Sequence, residues 1–155
     1  MSGKQRQKMS GERDITTDRL DEVLQKAGSD REAEQLIKEY SVNPYETFAA
    51  YNSEYIHTHK LEISEIICRS NISKNYIYNI INGRRNPGRD KVIAPCIGAG
   101  MSVREINRGL KIAGLGVLYA KNERDARIVV AVNRGIRNVI DINIMLEKQN
   151  QDILE

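Results

Sequence analysis

ISEIICRSNISKNYIYNIINGRRNP, residues 63–87, decides how the rest of the chain is read. Ile63, Ile66 and Ile67 recur at i, i+3, i+4, the spacing of one helical face. Ser70-Asn71-Ile72 interrupts that stripe, and Asn is one of the few side chains that accepts the left-handed conformation of a sharp turn. Ser73 suits an N-cap. Ile77, Ile80 and Ile81 then repeat the spacing, and Gly83 falls where a C-terminal cap belongs. The pattern predicts two short helices joined by a tight turn. The second, from about Ser73 to Asn82, keeps Lys74, Asn75, Tyr78 and Asn79 off its apolar face. Asn pairs bidentately with adenine and Lys donates to guanine acceptors, while the arginines of the following loop suit phosphates.

This segment resembles the helix-turn-helix of the XRE/Cro-type family, the lambda-repressor-like DNA-binding domains. Its family-like ending is Asn82-Gly83-Arg84-Arg85-Asn86-Pro87. The resemblance covers about residues 44–112 and is most specific over residues 66–87. Two positions depart from the family pattern. Ile67 stands where a small Ala is usual, which asks for altered packing, and Asn71 stands where Gly is usual, a tolerated exchange. The resemblance implies base contacts by Lys74, Asn75 and Asn79, at the second, third and seventh residues of the recognition helix. It implies phosphate contacts by Ser73, Asn82, Arg84 and Arg85, with Ser64 as a weaker candidate at the start of the preceding helix.

Composition agrees with a nucleic-acid partner without requiring one. The 155 residues carry a formal charge of +3. Between Tyr55 and Lys91, however, seven Lys and Arg face only three acids, so this quarter holds more than the net positive charge. Aromatics are 5% of the chain and Trp is absent, so the core is expected to be built on Ile, Leu and Val. Cys68 and Cys96 are far apart and sit in apolar stretches; they read as buried thiols of a reducing cytosol rather than a disulfide or metal pair. No run has the length of a membrane span and no leader is visible, so a cytoplasmic protein is expected.

Residues 1–14 are polar and read as a solvated tail, with Lys4, Arg6 and Lys8 leaving open an arm against DNA backbone. Residues 15–43 hold two short amphipathic helices. Leu20, Val23, Leu24 and Ala27 line the first, which Gly28 stops; Ser29-Asp30-Arg31-Glu32 is a capping box opening the second, lined by Ala33, Leu36, Ile37 and Tyr40. Residues 44–118 are expected to form the DNA-binding domain. Its first helix is expected over Pro44 to Lys60 with Asn43 as N-cap, and Phe48, Tyr51, Tyr55 and Ile56 on one side. His57 and His59 point to different faces and read as surface residues, so no metal or other cofactor is expected. A fourth helix runs over Arg89 to Ile97, kinked or ended by Pro95. A capping box at Ser102-Val103-Arg104-Glu105 opens a fifth, stopped near Gly114 and Gly116.

Residues 119–155 repeat what precedes them. Arg89-Asp90 recurs as Arg124-Asp125, Ile93 as Ile128 and Gly100 as Gly135. With one inserted residue, Ile106-Asn107 matches Ile142-Asn143, Leu110 matches Leu146 and Leu118 matches Leu154. Each unit reads as helix, Gly turn, amphipathic helix, and the repeat argues for helix over strand at Ile128 to Val132. The expected fold is therefore all-α: a lambda-repressor-like five-helix domain with N-terminal helices and a C-terminal helical hairpin extension.

The expected function is sequence-specific binding of double-stranded DNA by a transcription regulator, most simply a repressor, working as a homodimer whose surface comes from residues 17–40 or 124–154. The alternative is an interaction module, or an antitoxin or phage-type repressor, with the flanking helices turned to an unidentified protein partner. An enzyme is the weakest reading, since neither His has a partner at catalytic spacing and no phosphate loop or nucleophile elbow is present.

Overall fold

The computed structural model describes residues 22–36 and 47–155. The chain divides into two compact units, Met1–Pro44 and Tyr45–Glu155. Every described element is helical, and no strand occurs among the described residues.

In the first unit, residues 22–25 are helical and α1 spans Asp30–Leu36. The hydroxyl of Ser29 accepts from the Glu32 N–H at 3.2 Å, the first half of the expected capping box. The Glu32 carboxylate reaches one residue further than expected and accepts from the Gly28 N–H at 3.1 Å. The remaining stripe residues Leu20, Ile37 and Tyr40, and the tail 1–14, lie outside the described residues.

The second unit contains α2 (Phe48–Thr58), α3 (Ile63–Ser70), α4 (Lys74–Ile81), α5 (Arg89–Gly98), α6 (Val103–Ile112), α7 (Glu123–Asn133) and α8 (Val139–Lys148). Its centre is aliphatic: Ile66, Ile77, Ile93, Ile106, Ile128 and Ile142, one from each helix from α3 to α8, are all buried. Helix α3 packs on α5, α2 bridges α4 and α6, and α8 touches α3, α5 and α7. Burying one such side chain stabilises by roughly 1.5–3 kcal/mol, so the isoleucine stripes drive this assembly.

Local chemistry sets most helix ends as expected. Ser102 and Glu105 form a reciprocal capping box at α6. Gly100 and Gly135 take positive φ after α5 and α7, and residues 128–132 are helical. The helix expected over Arg89 to Ile97 runs from Arg89 to Gly98 with Pro95 inside it: the ring costs one backbone bond, and seven consecutive buried residues, Val92 to Gly98, hold the helix regardless. Two expectations are corrected. The N-cap of α2 is Thr47, whose hydroxyl accepts from the Ala50 N–H; the Asn43-Pro44 start lies outside the described residues. Cys68 is exposed rather than buried, because α3 turns Ile66 and Ser70 inward; Cys96 is buried, and desolvation pushes its thiol well above the usual range.

Close approach explains two glycines. A Cβ on Gly98 would collide with the Ser70 hydroxyl and lie 3.0 Å from the Ile66 carbonyl oxygen, so α5 meets α3 almost backbone to backbone. A Cβ on Gly109 would press on the Phe48 and Tyr51 rings at 3.1 and 3.3 Å, so α2 lays its aromatics on a bare patch of α6. The Tyr51 hydroxyl donates to the Glu105 carbonyl at 2.8 Å, and burial keeps it protonated well above its ordinary range.

The sequence repeat is a structural repeat. The hairpin α5–α6 and the hairpin α7–α8 pack reciprocally: α6 touches α7 and α8 touches α5. The Asn107 side-chain oxygen accepts from the Leu118 N–H at 2.9 Å, and that of Asn143 accepts from the Leu154 N–H at 2.8 Å. Each hairpin thus pins the segment that follows it with the same asparagine.

Candidate nucleic-acid interface

Asn71 closes α3 at φ 55°, ψ 36°, the left-handed conformation that the sequence asks of it. Ile72 is buried and ties the turn to the core. Ser73 then caps α4: its hydroxyl oxygen accepts from the Tyr76 N–H at 3.3 Å, leaving its own proton available to an acceptor. Ile77 and Ile80 anchor the back of α4, which packs against α2.

The outward side of α4 is polar. Lys74, Asn75, Tyr78 and Asn82 are exposed, and their i, i+3, i+4 spacing puts them on one face. Asn79, half-buried, borders this face beside Asn75. At the far end Gly83 adopts φ +71°, and the Arg84 N–H reaches back to the Asn79 carbonyl at 2.9 Å while the Gly83 N–H reaches the Ile80 carbonyl at 3.1 Å. This Schellman closure reverses the chain. It carries Arg84 and Arg85 back alongside the helix instead of away from it.

That reversal has an electrostatic consequence. The Arg85 guanidinium carbon lies 5.0 Å from the centre of the Tyr76 ring, and the Lys91 ammonium from α5 lies 5.2 Å from the same centre. The ring's negative face draws both cations to it. Tyr76 is the third residue of α4, so two charges from beyond the helix are gathered near its beginning. Lys91 was not among the candidates read from the sequence: its place depends on how α5 crosses behind the loop. The nearest hint was its membership of the basic quarter of the chain.

Of the remaining candidates, Ser64 is exposed in the first turn of α3. Lys74, Arg84 and Arg85 are exposed, and none forms an ion pair with the described residues. The three base-reading candidates and Ser73 sit on one short helix, and Asn82, Arg84 and Arg85 follow directly on it. His57 and His59 are exposed; His59 stacks on Tyr55 at 3.9 Å. No cluster of metal-ligating side chains occurs among the described residues, and no described helix is long and apolar enough to cross a membrane.

Comparison of the chain with protein-family models, with curated proteins and with solved structures finds no match.

Proposed function

We propose that this chain binds double-stranded DNA in a sequence-specific manner by laying α4 in the major groove. In this reading it is a transcription regulator of XRE/Cro type, most simply a repressor, acting as a homodimer. The observation that carries the reading is the two-sidedness of α4. Ile77 and Ile80 hold its back in the core, while Lys74, Asn75 and Tyr78 stand outward. Lys74, Asn75 and Asn79 would address base edges, with Asn favouring adenine and Lys favouring guanine. Ser64, Ser73, Asn82, Arg84 and Arg85 would hold phosphates, and the Tyr76-centred pair of Arg85 and Lys91 adds Lys91 to that set.

Selection of bound duplexes from a random pool tests this reading. It is expected to return a palindrome with half-sites about 34 Å, or one helical turn, apart. Recovery of no preferred sequence, together with no salt-dependent retention on duplex DNA, would overturn it.

A protein-interaction role for the flanking helices is the second reading. It is favoured by the apolar side chains that α7 and α8 leave exposed, Val130, Ile140 and Ile144.

A further inference from the structure

Among the described residues, five large hydrophobic side chains are exposed, and two of them lie one turn apart on α8: Ile140 at 48% and Ile144 at 46%. The internal repeat supplies a control for what the hairpin itself needs there. With Ile106, Asn107 and Leu110 matching Ile142, Asn143 and Leu146, the positions on α6 that correspond to Ile140 and Ile144 are Arg104 and Arg108, both exposed. Two arginines serve the same place in the same fold, so packing within the hairpin does not call for isoleucine. The apolar pair on α8 is therefore not used by the hairpin's own packing and is open to a partner.

The flanks of the stripe say what that partner is. Asp141 and Lys148 are exposed and one heptad apart, so they share one edge of the helix, three residues before and four residues after Ile144. An acid at one end and a base at the other end of the same edge is self-complementary when the helix meets a copy of itself running the other way. A two-fold axis at Ile144, perpendicular to the helix, brings Asp141 of each copy beside Lys148 of the other on the same edge, offset by one residue's rise of about 1.5 Å. It also places the two Ile144 side chains together, with each Ile140 over the aliphatic part of the opposite Glu147. A parallel arrangement would put Asp141 and Lys148 of the two copies on opposite edges of the seam, about seven residues apart in height, where they do not meet.

We propose that the exposed face of α8 is the contact between two copies of this chain, packed antiparallel about Ile144. The contact stands apart from DNA binding: it names the surface of the homodimer and is tested without DNA. The seam is short, so association is weak and depends on concentration.

Sedimentation of the full chain from about 1 to about 300 µM spans the range in which such a contact forms. The mass is expected to rise toward twice that of one chain. Ile144→Glu, which brings two carboxylates together on the axis, and Asp141→Lys are each expected to remain monomeric over the whole range. Asp141→Lys combined with Lys148→Asp in one chain restores the complementarity and is expected to regain the dimer. Arg104→Glu, on the corresponding face of α6, is expected to leave the mass unchanged. Unaltered helical circular dichroism and melting in each variant guard against misfolding, and these side chains point into solvent. A monomer at every concentration, a dimer that survives Ile144→Glu, or a charge reversal that fails to restore it would each overturn the proposal. Duplex retention at low salt separates the two readings. A monomeric Ile144→Glu chain that is still retained leaves the DNA reading intact, and a dimer that ignores duplex sinks the DNA reading alone.

Discussion

Arg89, the first residue of α5, holds Asp125 of α7 with both terminal nitrogens, at 2.9 and 2.7 Å, and the repeat of this dipeptide returns the grip: Arg124 holds Asp90 at 3.1 and 2.8 Å. The likeness extends outward. The Arg89 Nε and Nη2 donate to the carbonyls of Gly116 and Val117, as those of Arg124 donate to Asp152 and Ile153. The Tyr119 N–H donates to Asp125 Oδ2 and the Glu155 N–H donates to Asp90 Oδ2. Each arginine therefore ties the opposite hairpin's acid to the segment that closes its own hairpin. Two planar, bidentate pairs lock the hairpins together where apolar packing alone would leave them free to slide.

The two pairs differ in depth. The Asp125 side chain is 7% exposed, against 24% for Asp90. Asp125→Asn strands Arg89 beside a nearly buried amide and is expected to cost about 2–3 kcal/mol, whereas Asp90→Asn is expected to cost about 1–2 kcal/mol because water reaches the more open Asp90 side of its pair. Urea denaturation of the two variants checks the order. Equal costs would mean that solvent reaches both sites alike.

Acid should attack the same joint. Burial alone would raise the Asp125 carboxyl, but the Arg89 bonds and the Tyr119 N–H outweigh it and hold the group below the usual carboxylate range. A carboxyl whose folded-state value is depressed contributes stability that is complete above its unfolded value, near about 3.9, and is lost as pH falls through the lower folded value. The melting temperature of the native chain is expected to drop as pH is lowered below about 4. Asp125→Asn, already less stable at neutral pH, is expected to show a flatter acid limb.

Gly98 is the tightest point between α5 and α3. Gly98→Ala is expected to cost about 2 kcal/mol, since the new methyl meets both the Ser70 hydroxyl and the Ile66 carbonyl. Adding Ser70→Ala should return only part of that loss, because the backbone oxygen stays in place. Gly116→Ala, with nothing within 4 Å of its Cβ, is expected to stay within about 0.5 kcal/mol of the native chain. Thermal denaturation of the three variants measures the contrast.

On duplex DNA, two classes of variant should part company. Asn75→Ala and Asn79→Ala are expected to cost about 1–3 kcal/mol at a preferred site and to blunt discrimination between sequences. Arg85→Ala and Lys91→Ala are expected to weaken binding to every duplex, each lowering the slope of log affinity against log salt by about 1. Tyr76→Leu should resemble the second class, because it removes the ring that gathers both cations. Titrations at several salt concentrations separate the classes. Unchanged salt slopes in Arg85→Ala and Lys91→Ala would remove both from the proposed interface.

Much of this architecture was legible in the chain because its causes are local. Asn71 turns left-handed, Ser73 and Ser102 cap, Gly83 and Gly100 end helices, and the Ile spacings bury one face, all through contacts within a few residues. The repeat was legible as well, and with it the helix across residues 128–132. The helix across Pro95 was legible too, because the burial that sustains it shows in the run Val92 to Gly98. An expectation failed at Cys68, which falls on the outward side of a stripe whose inward residues are Ile66 and Ser70.

The sequence by itself thus determined where helices start, stop and turn their apolar sides, because capping bonds and helical periodicity act over one or two turns. Only the tertiary structure decided that Arg89 meets Asp125 and not its own neighbour Asp90, that Lys91 joins Arg85 at Tyr76, and that Ile140 and Ile144 remain in water. Those outcomes depend on which helices cross and how closely. Pairing distant charges requires that crossing first, and the packing of many side chains sets it together.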